Sequence, residues 1–423
     1  MNVVTKTKIT LAALALAPLA VADDNQVANW SGLEAELAAL EEVTASPADD
    51  GWSVSIKDGL NVQNADGTFT MKFGGRIQLD AGFHSGEDGH PLSGDADADG
   101  VEARRARLFV SGKAHGNTRY KAEYDFAGAG SAFKDVYIQF DDVFDAKVGL
   151  YKESFSLEEL TSSRYITFLE RSQVTEALAP SRNFGVGTTQ PFEGDGGTWS
   201  LGVFKDTDDD LASGVGDGEY ALTGRITVAP VHDGETGEVI HLGLSGSLRK
   251  VMTARFRARP EMHLVGRAID TSSFAADETT QFGLEAVWQN GPFSAQAEYM
   301  LADTDTGGAG SDPSQDGYYV QGSYFLTGEH RPYSTSAAAF GRVNPESNFQ
   351  SGGGNGAWEV AARVSHLSLE DPFAYADEQD NVTLGLNWYM NKHTRLMLNY
   401  VTSELDSVSE SVDALLIRWQ IDF

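Results

Sequence analysis

The sequence predicts an all-β fold, a sixteen-stranded antiparallel transmembrane β-barrel with long loops folded into the lumen and a short N-terminal helix. Three observations predict it. Apolar and polar residues alternate with a period of two from about residue 68 to residue 423. The alternating runs have roughly the ten residues that a tilted strand needs to cross an outer membrane. Short connections also alternate with long polar ones, as periplasmic turns and outer loops do in such barrels.

The first alternating run, residues 70–80, places apolar side chains on one face and polar side chains on the other. The apolar set is Met71, Phe73, Ile77 and Leu79, and the polar set is Lys72, Arg76, Gln78 and Asp80. A soluble β-sandwich alternates in the same way. Aromatic residues near the ends of other runs, such as Trp288, Trp388 and Trp419, favour the membrane barrel, because they form girdles at its two interfaces.

Sixteen strands can be counted, and an even number returns the C-terminus to the periplasm. We expect them near residues 68–84, 101–114, 118–128, 133–142, 144–152, 183–192, 197–206, 219–230, 238–250, 280–290, 292–302, 317–327, 357–369, 381–391, 394–404 and 412–423. Three connections, 154–182, 251–279 and 328–356, are too long to be plain turns. Long segments of this kind in a compact protein are usually functional.

The residues before the barrel carry two further patterns. Two lysines followed by the apolar run 9–22 indicate a signal peptide over residues 1–22. Apolar residues at helical spacing over 30–40 predict a short amphipathic helix within a periplasmic lead, residues 23–66, which ends in a linker. A coiled-coil tag and a plain helix on a flexible lead both remain open. The barrel domain is expected over residues 67–423.

The composition excludes several classes of protein. The absence of cysteine excludes disulfide frameworks, thiolate metal sites and thiol catalysis. Sixty-two acidic and 31 basic residues give a formal net charge of −31, which argues against a nucleic-acid partner. The histidines do not pair at metal-ligand spacing. The calcium-loop-like run 95–100 has Ala106 where a bidentate acid is required. We therefore expect no cofactor, no metal site and no catalytic residue.

Positive charge is concentrated in two segments, 101–125 and 249–267, which hold 12 of the 31 basic residues. Strand parity places most of these side chains, and some from other strands, in the lumen. The set is Lys72, Arg76, Arg105, Arg107, Lys113, Arg119, Lys121, Arg225 and Arg249. Rings of arginine and lysine in a pore select anions, and guanidinium groups bind phosphate in a bidentate way. The alternative is that these charges merely solvate a general, weakly selective pore.

Several segments resemble the phosphate-selective porin O and P family. The matching runs are residues 102–108, 120–128, 134–138, 148–165, 256–261 and 356–363, and the resemblance covers about residues 55–423. The resemblance implies a trimeric outer-membrane barrel of a Gram-negative bacterium, with inner loops that constrict the lumen. It also implies an arginine ladder leading to a constriction lined by lysine, arginine and serine. The predicted function is an outer-membrane diffusion channel for small anions, phosphate or polyphosphate among them.

Carried onto this chain, the ladder falls on Arg104, Arg105, Arg107 and on Arg255, Arg257, Arg259. The expected ligands in the 154–182 connection are Ser162, Ser163 and Arg164. With the parity argument, the predicted anion pathway comprises Arg104, Arg105, Arg107, Lys121, Lys152, Ser162, Ser163, Arg164, Arg225, Arg249, Arg255, Arg257 and Arg259. The expected partners are small anions, outer-membrane lipid and lipopolysaccharide, and two further copies of the chain in a homotrimer.

Two other classes of function remain as alternatives. An outer-membrane enzyme needs a histidine oriented beside a serine or an acid, and no such triad is evident in the sequence. A plugged, adhesin-type barrel needs a plug, and no separate plug domain is apparent before the strands. The sequence therefore predicts a channel that is not an enzyme.

Overall fold

The computed structural model describes residues 51–86, 98–128, 132–194, 196–205, 218–350, 353–373 and 377–423. The predicted signal peptide and amphipathic helix lie outside these residues. The part of the predicted lead that is described contains two strands, β1 (Trp52–Ile56) and β2 (Leu60–Asn64). These two strands pair with each other, and β2 pairs with the first strand of the barrel wall.

Sixteen long strands of the described chain form the wall. They are β3 (Thr70–Gly86), β4 (Ala98–Ala114), β5 (Thr118–Asp125), β6 (Ala132–Phe140), β7 (Ala146–Lys152), β8 (Arg182–Pro191), β9 (Gly197–Lys205), β10 (Ala221–Asp233), β11 (Glu238–Lys250), β16 (Glu278–Asn290), β17 (Phe293–Asp305), β18 (Ser314–Phe325), β21 (Ala357–Leu369), β22 (Asp377–Tyr389), β23 (Thr394–Leu405) and β24 (Val408–Asp422). Each pairs antiparallel with the next, and β24 pairs with β3, Trp419 opposite Leu79, which closes the barrel. The predicted sixteen-stranded barrel is confirmed.

The two faces of the wall differ as the alternation predicts. On β16, Phe282, Leu284 and Trp288 are 40%, 46% and 52% exposed on the outer face. The alternate residues Glu285 and Gln289 are buried inside the barrel. Apolar side chains facing outward and polar ones facing a lumen are the pattern of a barrel whose solvent is lipid. Among the described residues, no helix is long and apolar enough to cross a membrane.

The three long connections fold into the lumen. The 154–182 connection contains two short helices, α1 (Leu157–Leu160) and α2 (Gln173–Leu178). Ser156 and Ser172 cap them by accepting backbone N–H groups of Glu159 and Thr175. The 251–279 connection forms two small ribbons, β12 (Thr253–Ala254) with β15 (Phe274–Ala275) and β13 (Arg257–Ala258) with β14 (Ile269–Asp270). The 328–356 connection contains β19 (Tyr333–Ser334) paired with β20 (Ala339–Phe340).

Much of the lumen is a packed apolar core rather than open water. Phe155 and Leu178 of the 154–182 connection are buried against Phe256 and Ile269 of the 251–279 connection, and against Met300 of the wall. A second cluster joins residues of the same two connections to strands β23 and β24. Such burial fixes the two connections inside the barrel, because each fully buried large apolar side chain stabilises by about 1.5–3 kcal/mol.

The third connection enters the lumen from the opposite end. It joins β18 to β21 on the side of the short turns, since the backbone N–H of Phe325 bonds to Pro292 in the turn between β16 and β17. Phe340 packs against Leu157 of α1 and Val287 of the wall. The lumen is therefore narrowed from both ends, a feature that alternating connection lengths alone do not predict.

Candidate functional site

A bulge in strand β4 brings two consecutive arginines to the lumen. Gln78 is opposite Arg105 and Leu79 is opposite Ala103, so Arg104 is an extra residue on its strand. The Arg104 guanidinium binds both carboxylate oxygens of Glu170 at 2.8 Å. Arg105 is 4% exposed and donates to the Gln78 side chain at 2.8 Å. The two side chains would otherwise point to opposite faces of the wall.

These arginines line a cavity of about 290 Å³ that lies toward the long-loop end, which we name the loop-side cavity. Seven cationic residues line it: Arg104, Arg105, Arg107, Lys134, Arg171, Arg182 and Arg259. Three carboxylates line it as well: Glu159, Glu170 and Glu176. The excess of positive charge in a confined, partly dry space attracts anions more strongly than the same charges in bulk water, where the dielectric constant is high.

Acidic partners hold the ladder arginines in place. Arg107 binds Asp125 at 2.5 Å and Glu123 at 3.3 Å. Burial opposes ionisation of Glu170, but three arginines around it, Arg104 first among them, hold its pKa well below its usual value. Glu170 is therefore an anion at neutral pH and cancels part of the field of these arginines.

Glu159 of α1 lines the loop-side cavity, and we name this residue with its two cationic partners, Lys152 and Arg171, the Glu159 partition. Glu159 binds the Lys152 ammonium at 2.9 Å and the Arg171 guanidinium at 3.1 Å. Burial opposes its ionisation, but Arg171 and Lys152 more than offset this and lower the pKa of Glu159 to about 2. Beside it, Asp135 binds Lys121 at 2.5 Å and Arg182 at 2.7 Å. The two carboxylates, Glu159 and Asp135, are thus surrounded by four cations.

A second basic cavity, of about 330 Å³, lies on the side of the short turns, and we name it the turn-side cavity. Its charged lining residues are Lys72, Lys121, Arg164, Arg342 and Asp58. The Arg164 guanidinium packs 5.2 Å from the ring centre of Tyr165 and 5.9 Å from that of Phe109. Arg342 forms an ion pair with Asp422 at the end of β24. Lys121 lies between the partition and this cavity.

The two predicted serines lie next to an arginine of the wall. Arg76 donates to the Ser163 hydroxyl at 2.7 Å and to the Ser162 hydroxyl at 3.4 Å. Its other end binds Glu123 at 2.6 Å. Ser163 is buried, so its hydroxyl accepts a hydrogen bond from Arg76 and does not project into an open cavity. Ser162 is only partly buried and remains beside Arg164, whose Nε lies 3.4 Å from its hydroxyl.

The predicted arginines of the 251–279 connection differ in their partners. Arg255 is bidentate to Asp270, at 2.7 and 2.5 Å, and is exposed. Arg259 lies 3.3 Å from Glu176 in the loop-side cavity. Within the described part of the chain, no carboxylate lies within 4 Å of the Arg257 guanidinium, although Asp270 is opposite it in the small ribbon. Arg257 is thus the least compensated of the three.

The structure places Arg225 and Arg249 in buried ion pairs away from the loop-side cavity. Arg225 binds both oxygens of Glu285, at 2.8 and 2.6 Å, and donates to the Ala338 carbonyl of the 328–356 connection at 3.0 Å. Arg249 binds Glu153 at 2.9 Å. These contacts tie two of the inward-folded connections to the wall.

Sequence reasoning missed several basic residues that line the cavities or anchor the connections: Arg171, Arg182, Arg342 and Arg418. Arg418 is fully buried and binds Asp80 and Glu170, each at 2.6 Å. Its parity on the last strand could have revealed it, since it alternates with the apolar outward residues Ile417 and Trp419. Among the described residues, no group of three His, Asp or Glu side chains could hold a metal ion.

Comparisons with known proteins agree with this architecture. Residues 71–423 match the model of the family described as phosphate-selective porin O and P. Porin O of Pseudomonas aeruginosa is 31% identical over 404 residues, which cover 85% of this chain and 88% of that protein. A protein of Caulobacter vibrioides is also 31% identical, over 84% of this chain and 72% of its own length.

Solved structures support the fold. The outer-membrane channel DcaP of Acinetobacter baumannii superimposes with a TM-score of 0.54, at 12% identity, over 84% of this chain and 97% of its own. An anion-selective porin from Comamonas acidovorans has a TM-score of 0.52 at 14% identity, over 84% of this chain and all of its own. The chain therefore belongs to the phosphate-selective porin O and P family and is a channel of the Gram-negative outer membrane.

Proposed function

We propose that small inorganic anions, phosphate and polyphosphate among them, cross the barrel through the loop-side cavity, past the Glu159 partition, into the turn-side cavity. The observation that carries the proposal is the lining of the loop-side cavity, where seven cations face three carboxylates. Two similar proteins support the proposal. One is Porin O of Pseudomonas aeruginosa, and the other, from Comamonas acidovorans, is described as an anion-selective porin. On this proposal, Lys121, Lys152 and Arg164 contact the permeating anion, and Arg257 attracts it from beside the loop-side cavity.

A general, weakly selective porin is the second candidate, and one observation favours it. Carboxylates neutralise many of the predicted pathway arginines, including Arg104, Arg107, Arg255 and Arg259. Paired charges act over a shorter range than free ones, so selectivity depends on the cations that lack a close acidic partner. The two candidates therefore differ in how strongly the loss of one such cation changes the anion-to-cation permeability ratio.

Arg257→Gln in planar bilayers distinguishes the two candidates. We expect the anion-to-cation permeability ratio, obtained from the reversal potential across a potassium chloride gradient, to fall at least about twofold, since Arg257 has no carboxylate within 4 Å among the described residues. The control is Lys250→Gln, which removes the same charge from the exposed end of β11. A ratio that is the same in Arg257→Gln and in wild type would favour the general porin.

Assembly and processing complete the proposal. We infer a homotrimer, because solved structures of similar fold include a trimeric form of OmpT from Vibrio cholerae, with a TM-score of 0.52 at 12% identity. The exposed apolar outer wall supports contacts with lipid and lipopolysaccharide. We also propose the domain boundaries expected from the sequence: a cleaved signal peptide over 1–22, a lead over 23–66 and the barrel over 67–423. The channel needs no enzymatic activity, metal or cofactor to pass anions. Light scattering in detergent would test the trimer, and a monomer mass would contradict it.

A further inference from the structure

A third cavity lies along strands β6 to β10, and none of its lining residues lines the loop-side or the turn-side cavity. It has a volume of about 290 Å³, at the lower end of the roughly 300–1,000 Å³ of small-molecule sites. Residues 336, 337 and 339 of the 328–356 connection close one side of it. Lys152 and Leu160 line its end nearest the partition. We name it the hydroxyl-lined cavity.

One cation in this cavity has no close acidic partner. The Lys147 ammonium lies 4.8 Å from the ring centre of Tyr137 and 5.0 Å from that of Tyr151. No carboxylate of the described residues lies within 4 Å of it, and the acid that shares the cavity, Asp145, accepts from Gln190 instead. The aromatic faces stabilise the ammonium but leave its N–H donors unused.

A second polar group in the cavity is also unpaired. Tyr151 is 8% exposed, and its buried hydroxyl has no hydrogen-bond partner among the described residues. It lies against Gly187, where an added Cβ would come within 2.9 Å of the hydroxyl. Gly187 thus leaves room for the phenol at the cavity wall. A buried polar group without a partner is destabilising, so it requires an explanation.

Hydroxyl groups form much of the remaining wall, which also includes Arg225 in its ion pair with Glu285. The cavity is lined by Thr188, Thr189, Thr198, Ser200, Thr223 and Ser336. Several bond to one another, as Thr189 does to Ser200 at 3.0 Å, so each keeps spare capacity to accept or donate. The rings of Tyr151 and Phe204 meet edge to face with their centres 5.3 Å apart, and both line the cavity. The loop-side cavity has a different chemistry, because guanidinium groups dominate its wall.

The structure assigns to the hydroxyl-lined cavity the binding of a small polyhydroxylated organic phosphate, such as a hexose phosphate. The phosphate faces the Lys147 ammonium, and the sugar hydroxyls exchange hydrogen bonds with the threonine and serine wall and with the Tyr151 phenol. Sugar rings also pack against aromatic side chains, which Tyr151 and Phe204 supply. An inorganic anion uses the charge of this cavity but not its hydroxyl wall. The inference extends the proposed function to a second class of anion and rests on it only in requiring a conducting lumen.

Block of single-channel chloride current tests this assignment, with glucose 6-phosphate, glucose and inorganic phosphate added in turn. We expect glucose 6-phosphate to block wild type at lower concentration than phosphate does, and glucose to have no effect. Lys147→Gln should weaken block by glucose 6-phosphate about tenfold or more, since a charge-assisted hydrogen bond is lost. Tyr151→Phe should weaken it roughly threefold without loss of folding, because the hydroxyl has no partner to lose. Lys250→Gln, the same charge change at the exposed end of β11, is the control.

Several outcomes would overturn the assignment. One is an equal effect of Lys147→Gln and Lys250→Gln on block by glucose 6-phosphate. Another is block by glucose 6-phosphate that is as strong in Tyr151→Phe as in wild type, or no stronger than block by phosphate in wild type, which would leave no role for the hydroxyl wall. In both cases an intact anion-selective chloride current would leave the proposed function standing. A cation-selective current in wild type would instead contradict the proposed function itself.

Discussion

Replacing Glu159 by glutamine removes the only negative charge at the contact between Lys152 and Arg171, within the part of the chain that the structure describes. Glutamine keeps the size of the side chain and an oxygen that accepts hydrogen bonds. Lys152 also donates to the backbone carbonyl of residue 159, and that contact does not depend on the carboxylate. Both cations therefore stay near their positions while the partition changes from a net charge of about +1 to about +2.

The size of the effect follows from the distance between the carboxylate and a passing anion. Cations at 2.9 and 3.1 Å on either side of Glu159 place an anion that binds them roughly 6 Å from its carboxylate. At this separation the repulsion between two unit charges is about 0.7 kcal/mol at a dielectric constant near 80 and about 2.8 kcal/mol near 20. Removing it should tighten anion binding at the partition by between about threefold and one hundredfold.

The assay is block of single-channel chloride current by phosphate in planar bilayers. We expect Glu159→Gln to lower both the phosphate concentration that half-blocks the current and the maximal chloride conductance, because a tighter site releases anions more slowly. Glu193→Gln, which removes the same charge from an exposed turn, should change neither. The pKa of Glu159 is about 2, so the difference in chloride conductance between variant and wild type should be constant from pH 5 to 8. Unchanged or weaker phosphate block in Glu159→Gln would refute the partition as the narrow, anion-contacting point of the route.

Two further predictions concern charge and stability. Burial raises the pKa of Glu176 above its usual value despite the neighbouring Arg259 and Arg267, so its carboxylate is neutralised at a higher pH than that of an ordinary glutamate. Anion preference should therefore rise as pH falls from 7 toward 4.5, and a reversal-potential profile that is identical in Glu176→Gln would contradict this. Arg418→Met should lower the unfolding temperature measured by heat-modifiable gel migration, because loss of one member of a buried pair costs about 3–5 kcal/mol. Adding Asp80→Asn should restore part of the loss, and no change in either variant would refute the role of this pair.

The strands were predictable because side-chain alternation along a strand is a local property. The lumen position of Arg105 and Arg225 follows from parity alone. The sequence does not reveal the bulge at Arg104, since the extra residue is recognisable only against its partner strand. Nor does it reveal that Glu170 compensates Arg418, because the two residues are 248 positions apart and meet only when the 154–182 connection folds inward.

The acidic partners explain how the chain can be strongly acidic and still have a basic route. Part of the formal charge of −31 lies in carboxylates that hold lumen arginines, such as Glu153 and Glu261. Such acids position guanidinium groups. In the loop-side cavity, the seven cationic residues outnumber the three carboxylates. Exposed charges at the surface are screened within about 3 Å at 1 M salt, whereas charges within the barrel are screened much less. The local balance in the lumen, rather than the total charge, should set selectivity.

The reversal potential of the wild-type channel across a tenfold potassium chloride gradient tests this account most directly. At high ionic strength, where surface charges are screened, the cations of the loop-side and turn-side cavities should still dominate the permeation route. We predict a reversal potential whose sign shows that chloride permeates more readily than potassium. The anion preference should be larger than that of Arg257→Gln under the same conditions. A potential of the sign set by potassium would contradict the anion route through these cavities.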